Sequence, residues 1–529
     1  MQRRMLLTGI GATAVAPLAK RMVAQGLAAT PEEAFRAADW DPSYRMRLSM
    51  ERRQLAAARS LQRPPHLVPA RVGSPFTDIV EFSKGMRHDE ILRCDQGTLD
   101  LLHRGLGATD LAAIDAAYTG SEVPAVNPVG GNGLLDCGRD TVQYELAAPP
   151  RVRTTALTKE ALELAWAALC RDVPFGAYRD NGTARDALRS LLDTAPDAIS
   201  AETALFQPSM RRLPGPFVSQ FLLQEPTLGG VTQSFQRMFA MPDADYMTSF
   251  DEFLRIQNGR SPQKPFKTSP DIRYPYSGRC LASLVRSDFP AQFYMYAAEQ
   301  LFGMGPQALN PQHPYHRARR QSPFASFGGP HCFALLNRVA CQALQVAWFY
   351  KWRVYRRIRP EEYFGYVHLA NNKGGDFPID DQLQADAALV AIKSKHGGYL
   401  LPQAYPEGAP LHPAYPAGHA VAAGACGTVL KLFFNPEFPI FGAVEATPDG
   451  RSLLPYHGRL RVGDEIDKLM WNLSFGRCFA GIHWRSDCEE GIRLGEQVAS
   501  DLMRDLALFQ AEPREEVRYR SFDGNDVLF

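Results

Sequence analysis

Apolar positions along this chain recur mostly at helical spacing, and the strict alternation of a half-buried strand is rare. Residues 30–62 are rich in Ala, Arg and Glu, a composition that favours helix. Pro64, Pro65 and Pro75 predict an extended connection over 63–82. A helix is expected near 98–105, loop over 119–150, then helices at 158–171 and 183–194. The glycine-rich run 127–133 lacks the Gly-Lys-Ser/Thr of a phosphate loop and reads as a plain turn. Residues 205–275 mix short apolar runs with Pro and Gly and predict small strands or irregular surface. From 279 the helical pattern strengthens, over 279–302 with a break at Pro290, then 333–358, 381–395, 419–434, 465–479 and 487–509. The 333–358 segment carries Trp348, Phe349, Tyr350, Trp352 and Tyr355, an aromatic stripe that on composition alone is core or interface. Pro360 is expected to end that helix, because proline cannot supply the continuing hydrogen bond.

Length and composition narrow the picture. The chain has 529 residues, 45% hydrophobic and 22% charged, enough for two to four domains or one large helical unit. Lys and Arg number 58 against 57 Asp and Glu, so no overall field favours nucleic acid or an acidic membrane surface. Any anion site must come from local clustering. None of the nine cysteines forms a C-x-x-C pair, which argues against a zinc ribbon or a thioredoxin-like centre. The odd count argues against a complete disulfide framework, though an exported protein could hold one or two bridges. At the N-terminus, Arg3-Arg4-Met5-Leu6-Leu7 and the apolar run to Ala19 resemble a twin-arginine export signal covering 1–29. Later stretches fall short of the roughly 18 uninterrupted apolar residues of a bilayer span, so no membrane span is expected.

Three short blocks carry the candidate chemistry. The first runs from Lys351 to Arg359-Pro360, the second is His412-Pro-Ala-Tyr-Pro-Ala417-Gly418-His419, and the third is Arg477-Cys-Phe-Ala-Gly-Ile-His483-Trp-Arg-Ser-Asp487. Arg offers a planar fork of donors and Lys a point charge, a set suited to a small tetrahedral oxyanion. Lys351 and Arg359 would lie about 80° apart on one helix and lean over one side. Taken alone, the block reads as a basic surface face, because Arg353, Arg356 and Arg357 stand nearby and most charge runs are solvated. Gly418 opens a helix, where its N–H and the positive dipole end favour an anion. Asp487 follows His483 by one helical turn, so it can accept the Nδ1 proton and leave Nε2 free as nucleophile or metal ligand. Each block alone has an ordinary structural explanation; their order together is far more specific.

The order Lys-x7-Arg-Pro, Pro-x-Gly-His, Arg-x5-His-x3-Asp resembles the signature shared by vanadium-dependent haloperoxidases and type 2 phosphatidic acid phosphatases. The seven-residue Lys–Arg spacer, His412 seven before His419 and the His483-to-Asp487 run are most similar to algal-type bromoperoxidases and their bacterial relatives. Phe327-Gly-Gly-Pro-His331 and the Trp348/Lys351 pair are similar too. The resemblance implies an all-α fold of two four-helix bundles, with a mostly helical N-terminal part over 30–274 and a vanadate-binding bundle over 275–529. It implies vanadate as cofactor, bonded by His483 through Nε2. Lys351, Arg359, Arg477 and the Gly418 N–H would hold its oxygens. His419 would act as acid–base catalyst, Lys351 would polarise bound peroxide, His412 would tune the halide side and Trp348 would line it. Hydrogen peroxide would then oxidise halide, bromide or iodide preferred, with a small organic acceptor possible. Relatives of this type suggest a homodimer or larger homo-oligomer. Ala417 stands where the family usually has Ser, and Gly476 precedes Arg477 where many members have Ser. Two other functions stay open: a soluble acid phosphatase with His483 as nucleophile, and a non-catalytic binding protein on the same fold.

Overall fold

Helices carry the architecture, and their capping residues are legible in the chain. The computed structural model describes residues 81–194, 205–512 and 516–529, apart from 229 and 385, with scattered positions of a helix between 46 and 58. The expected export signal over 1–29 and most of the helix-rich 30–62 segment lie outside the described residues. In chain order the helices are α1 (Gln96–Ala108), α2 (Leu111–Ala117), α3 (Thr155–Leu169), α4 (Gly182–Thr194), α5 (Phe250–Gln257), α6 (Gly278–Leu284) and α7 (Gln292–Gly303). They continue with α8 (Gly329–Phe349), α9 (Pro360–Lys373), α10 (Asp381–Gln384), α11 (Ala387–His396), α12 (Gly418–Phe433), α13 (Val462–Phe479) and α14 (Arg485–Leu506). The helices expected between 98 and 509 are present with displaced ends, except that 381–395 is divided into α10 and α11 and the α-helix expected over 333–358 stops at Phe349. Three helices were not expected: α9, and the short α2 and α5, which do have caps, Asp110 accepting from Ala112 N at 3.0 Å before α2 and Ser249 from Glu252 N before α5.

Strands among the described residues form small two-stranded antiparallel sheets. Two fall where irregular surface was expected, β1 (Thr227–Leu228) with β2 (Val231–Thr232), and β3 (Arg237–Ala240) with β4 (Thr268–Arg273), in which Met238 faces Ile272. Two more, β5 (Val444–Ala446) with β6 (Leu453–Pro455) and β7 (Arg518–Arg520) with β8 (Asp526–Leu528), were not expected.

The expectation that Lys351 and Arg359 share one helix ended by Pro360 is overturned. After α8 the chain passes through a π-helical stretch, Tyr350–Tyr355, and closes it at Arg356, whose φ is 39°. Pro360 is the first residue of α9, not the terminator of the preceding helix. Both outcomes obey the same sterics. Proline forces the residue before it into extended geometry, and its missing N–H costs nothing in a first helical turn. Arg359 accordingly has φ −79° and ψ 152° as the α9 cap residue.

The bundle around the site is built on small residues. Helix α12 packs against α14, α8 and α13. A Cβ on Gly424 would lie 2.0 Å from the Ile492 carbonyl oxygen, and one on Gly495 2.1 Å from that of Val421. The α12 and α14 backbones therefore touch, and only glycine permits it. One hydrophobic cluster draws on residues from Leu92 to Phe522, on both sides of residue 275. A smaller one joins Phe82, Leu99 and Leu102 to Trp352 and Leu411, tying the N-terminal part to the first block. The most apolar 18-residue window of the continuous helix over 329–355 has a mean hydropathy of 1.2, enough by length and composition to cross a membrane, yet 56% of that window is buried inside the fold. All nine cysteines are free thiols.

Candidate active site

The π-helical stretch turns Lys351 into the interior, where its side chain is fully buried. Its Nζ donates to the carbonyls of Pro413 at 2.6 Å and Ala414 at 2.8 Å. One turn earlier on α8, Trp348 is half-buried with its ring 4.9 Å from that of His412. Its Nε1 donates to the Val126 carbonyl at 3.0 Å. The glycine-rich turn lies against this point: a Cβ on Gly131 would meet Phe349 N at 2.1 Å. Arg359 crosses to the other two blocks. Its Nε and Nη2 donate to the His412 carbonyl at 2.9 and 2.8 Å, and its Nη1 to Ile482 O at 2.8 Å.

In the second block Ala417 caps α12 without a side-chain hydrogen bond, and Gly418 is the first helical residue. A Cβ on Gly418 would sit 3.1 Å from the Trp348 ring, so the helix start abuts that tryptophan. His419 follows in the first turn, and its Nε2 lies 2.8 Å from Asp288 Oδ1. Asp288 also feels Arg477: burial raises its carboxyl, but His419 and Arg477 outweigh that and hold it below the usual range.

The third block closes the site. Arg477, on the last turn of α13, donates to the Val285 carbonyl. Its buried Nε has no hydrogen-bond partner. His483 lies in the turn before α14, not on the helix. Its Nδ1 is 2.8 Å from Asp487 Oδ2, and Arg359 Nη1 is 2.9 Å from its Nε2. A guanidinium only donates, so Nε2 is the acceptor and the proton sits on Nδ1. The one-turn His–Asp spacing works although only Asp487 is helical, because Asp487 also accepts from Trp484 N at 2.9 Å and folds back over the turn.

All ten residues singled out in the sequence gather here: Trp348, Lys351, Arg359, His412, Ala417, Gly418, His419, Arg477, His483 and Asp487. Their electrostatics are one-sided. Burial, then Arg359 and Lys351, push the His483 imidazole far below its ordinary value. Burial, Lys351 and Arg359 do the same to His412, and burial, Arg359 and Arg477 to the Lys351 ammonium. Among the described residues none of Lys351, Arg359 and Arg477 is ion-paired to a carboxylate; they bond to carbonyls and to the imidazoles of His483 and His412. Buried charge without a counter-charge is costly. An oxyanion would supply that counter-charge and a partner for Arg477 Nε. Vanadate fits this donor set, with the Nε2 lone pair of His483 as the ligand to its metal.

Two expectations need correction and three residues were missed. Arg356 and Arg357 are buried, not a solvated face: Arg356 pairs with Glu81 at 2.5 Å, and Arg357 with Asp487 at 2.7 Å. Gly476 bears on helix packing, since a Cβ there would come 3.0 Å from the Leu281 carbonyl of α6. Asp288 and Glu160 were missed because nothing local marks a carboxylate whose partner is over a hundred residues away. Arg357 was missed because a run of basic residues does not say which of them turn inward. Phe327-Gly-Gly-Pro-His331 opens the far end of α8, a helix of 21 residues, and does not reach the site.

The model of the VCPO second helical-bundle domain matches residues 331–510, which contain all three blocks. A vanadium-dependent bromoperoxidase of Ascophyllum nodosum is 29% identical over 526 residues, covering 92% of this chain and 92% of that protein. One of Corallina officinalis is 32% identical over 308 residues, 54% of this chain and 51% of that protein. Among solved structures, the homohexameric second vanadate-dependent bromoperoxidase of Ascophyllum nodosum superposes with a TM-score of 0.82 at 27% identity, covering 92% of this chain and 90% of that one.

Proposed function

We propose that this chain is a vanadium-dependent haloperoxidase that uses hydrogen peroxide to oxidise halide, bromide or iodide preferred, to a hypohalous acid equivalent. The observation that carries this is the buried cation cluster around His483 Nε2, which lacks an ion-paired carboxylate and leaves Arg477 Nε without a partner. Bound vanadate would supply a Lewis acid that stays oxidised while peroxide is activated towards halide. Every other part falls to side chains of this chain. Lys351, Arg359, Arg477 and the Gly418 N–H bind the oxyanion by charge and hydrogen bonds. Asp487 keeps the His483 proton on Nδ1, which leaves Nε2 an unprotonated lone pair, here accepting from Arg359 Nη1 and available to a metal that displaces it. His419, oriented by Asp288 at 2.8 Å, would hold or move a proton at the bound oxyanion. Burial keeps His412 neutral against the Trp348 ring, so the pair offers a polarizable wall for a halide. The related hexamer supports a homo-oligomer, and the N-terminal arginine pair supports export through the twin-arginine route.

Monochlorodimedone bromination, with vanadate and peroxide each supplied or withheld, tests the reading. Activity should require both. Hydrolysis of p-nitrophenyl phosphate that vanadate inhibits, without bromination, would establish the acid phosphatase instead. His483→Ala should lose vanadium on dialysis, since it removes the one covalent ligand; a fully loaded variant would sink the ligand assignment.

A further inference from the structure

A carboxylate from the N-terminal part reaches the back of the site. Glu160, on α3, is buried, and its Oε2 lies 3.1 Å from Arg357 Nη2. Arg357 Nη1 lies 2.7 Å from Asp487 Oδ1, and Asp487 Oδ2 is 2.8 Å from His483 Nδ1. These four side chains form one unbroken buried chain, carboxylate to guanidinium to carboxylate to imidazole, with every contact at hydrogen-bond distance. Glu160 also accepts from Ser486 N and Ser486 Oγ, both at 3.0 Å, so it fixes the first turn of α14 that presents Asp487. The Arg357 guanidinium lies 5.1 Å from the Trp484 ring centroid and 5.8 Å from that of Tyr415, which holds it in place.

We propose that Glu160 is a positioning residue for vanadate binding: it absorbs the charge of Arg357, so that Asp487 is free to serve His483. The inference rests on the vanadate reading above. Asp487 is a single carboxylate shared by two donors. An uncompensated guanidinium on one oxygen draws its charge away from the imidazole on the other. The Nδ1–H bond then weakens, and Nε2 becomes a poorer ligand. Simple charge counting gives the opposite sign. Glu160 is a negative charge near an anion site, and removing it should tighten the binding of any oxyanion.

The two oxyanions that match this cage separate these views. Vanadate uses the Nε2 lone pair, whereas inorganic phosphate is held by charge and hydrogen bonds alone. The test is equilibrium binding of each to the full-length protein stripped of metal, as wild type and as Glu160→Gln, which keeps one acceptor oxygen for Ser486 N and removes the charge. The expected result is a vanadate Kd raised about tenfold, as for other partners behind a metal ligand. Phosphate affinity should be unchanged or higher, and the apo protein, which loses one carboxylate of a buried pair, should melt lower than wild type while still folding. Vanadate affinity that is unchanged, or that moves with phosphate in the same direction, overturns the inference. A second comparison stands even if the single variant folds poorly. Glu160 acts only through the guanidinium, so in an Arg357→Gln background Glu160→Gln should not change vanadate binding, and a further loss there also overturns the inference. If wild type itself fails to bind vanadate, the reading of the site falls, whatever Glu160 does.

Discussion

Two buried groups of cations in this protein are wired in opposite ways. In one, Arg171 and Arg279 both donate to Asp245 at 2.8 Å, and Arg279 takes Asp172 as well, at 2.5 and 2.6 Å. Lys395 and His396 stand 3.7 and 3.5 Å from the other Asp245 oxygen. Burial works to raise the Asp245 carboxyl, but Arg171 and Arg279 outweigh it and hold it down to about 2. In the other group Lys351, Arg359 and Arg477 meet carbonyls, His412 and His483, and the neighbouring carboxylate, Asp487, is committed to Arg357, His483 and Trp484. The first group is complete as folded. The second is complete only with an anion. Counter-charge, not the number of buried cations, separates scaffold from site.

The largest expected effect comes from breaking the complete group. Asp245→Asn leaves two buried guanidiniums short of a carboxylate and should cost about 3–5 kcal/mol of stability, the usual penalty for halving a buried pair. Urea unfolding measures it, and vanadate affinity of the protein that remains folded should not change. Lys351→Met is the matched change in the incomplete group. It removes an uncompensated charge, so apo stability should move by no more than about 1–2 kcal/mol, mostly for the Pro413 and Ala414 carbonyls that lose a donor. Its vanadate affinity should fall about tenfold to hundredfold, for a charged hydrogen bond of roughly 1.5–3 kcal/mol. Equal destabilisation by both variants would erase the contrast.

Acid titration sharpens the same contrast at a smaller scale. Asp245 is held near 2 when folded, against an ordinary value of 3.8. A depressed carboxyl stabilises at pH values above its unfolded value, and that contribution is lost as pH falls towards the folded one. The shift corresponds to roughly 2–3 kcal/mol, complete above about pH 5 and gone near pH 2. In Asp245→Asn the acid-limb slope between pH 5 and 2 should be shallower by that amount. An unchanged slope would mean that other carboxyls set the acid limit.

The three blocks were legible because each carries its spacing within one stretch of chain: His483 finds Asp487 one turn on, and Gly418 stands beside Ala417 at a helix start. What was not legible depends on distance or direction. Arg357 and Arg359 are two residues apart in one basic run; one faces Asp487 and the other His483, and only the turn at Arg356 decides which. Asp288 meets His419, and Glu160 meets Arg357, across long separations that leave no local mark. Pro360 was placed correctly as a boundary and given the wrong side of it, because proline both stops a helix and starts one. The helical fold was readable from 3.6-residue periodicity, whereas β5 to β8 are too short to show alternation.

The smallest effect tests how complete the incomplete group becomes when loaded. Ala417 is fully buried, caps α12 without a side-chain hydrogen bond, and its N–H is taken by the Asp487 carbonyl at 2.9 Å. Ala417→Ser adds one hydroxyl at a position where serine is favoured and could contribute up to about 1 kcal/mol to the apo protein by capping. The hydroxyl can accept from the helix N–H groups and donate its own proton to the oxyanion, so the two gains do not compete. Vanadate should bind about tenfold more tightly, the low end for a hydrogen bond to a charged group. The gain should show at limiting vanadate and shrink at saturation. If water or another side chain already meets that oxygen, the new hydroxyl displaces a partner of equal worth. Vanadate titration of the two apo proteins, with bromination rate as the readout, separates the cases. Equal half-saturation would mean that the cations and backbone donors already satisfy the anion without a serine.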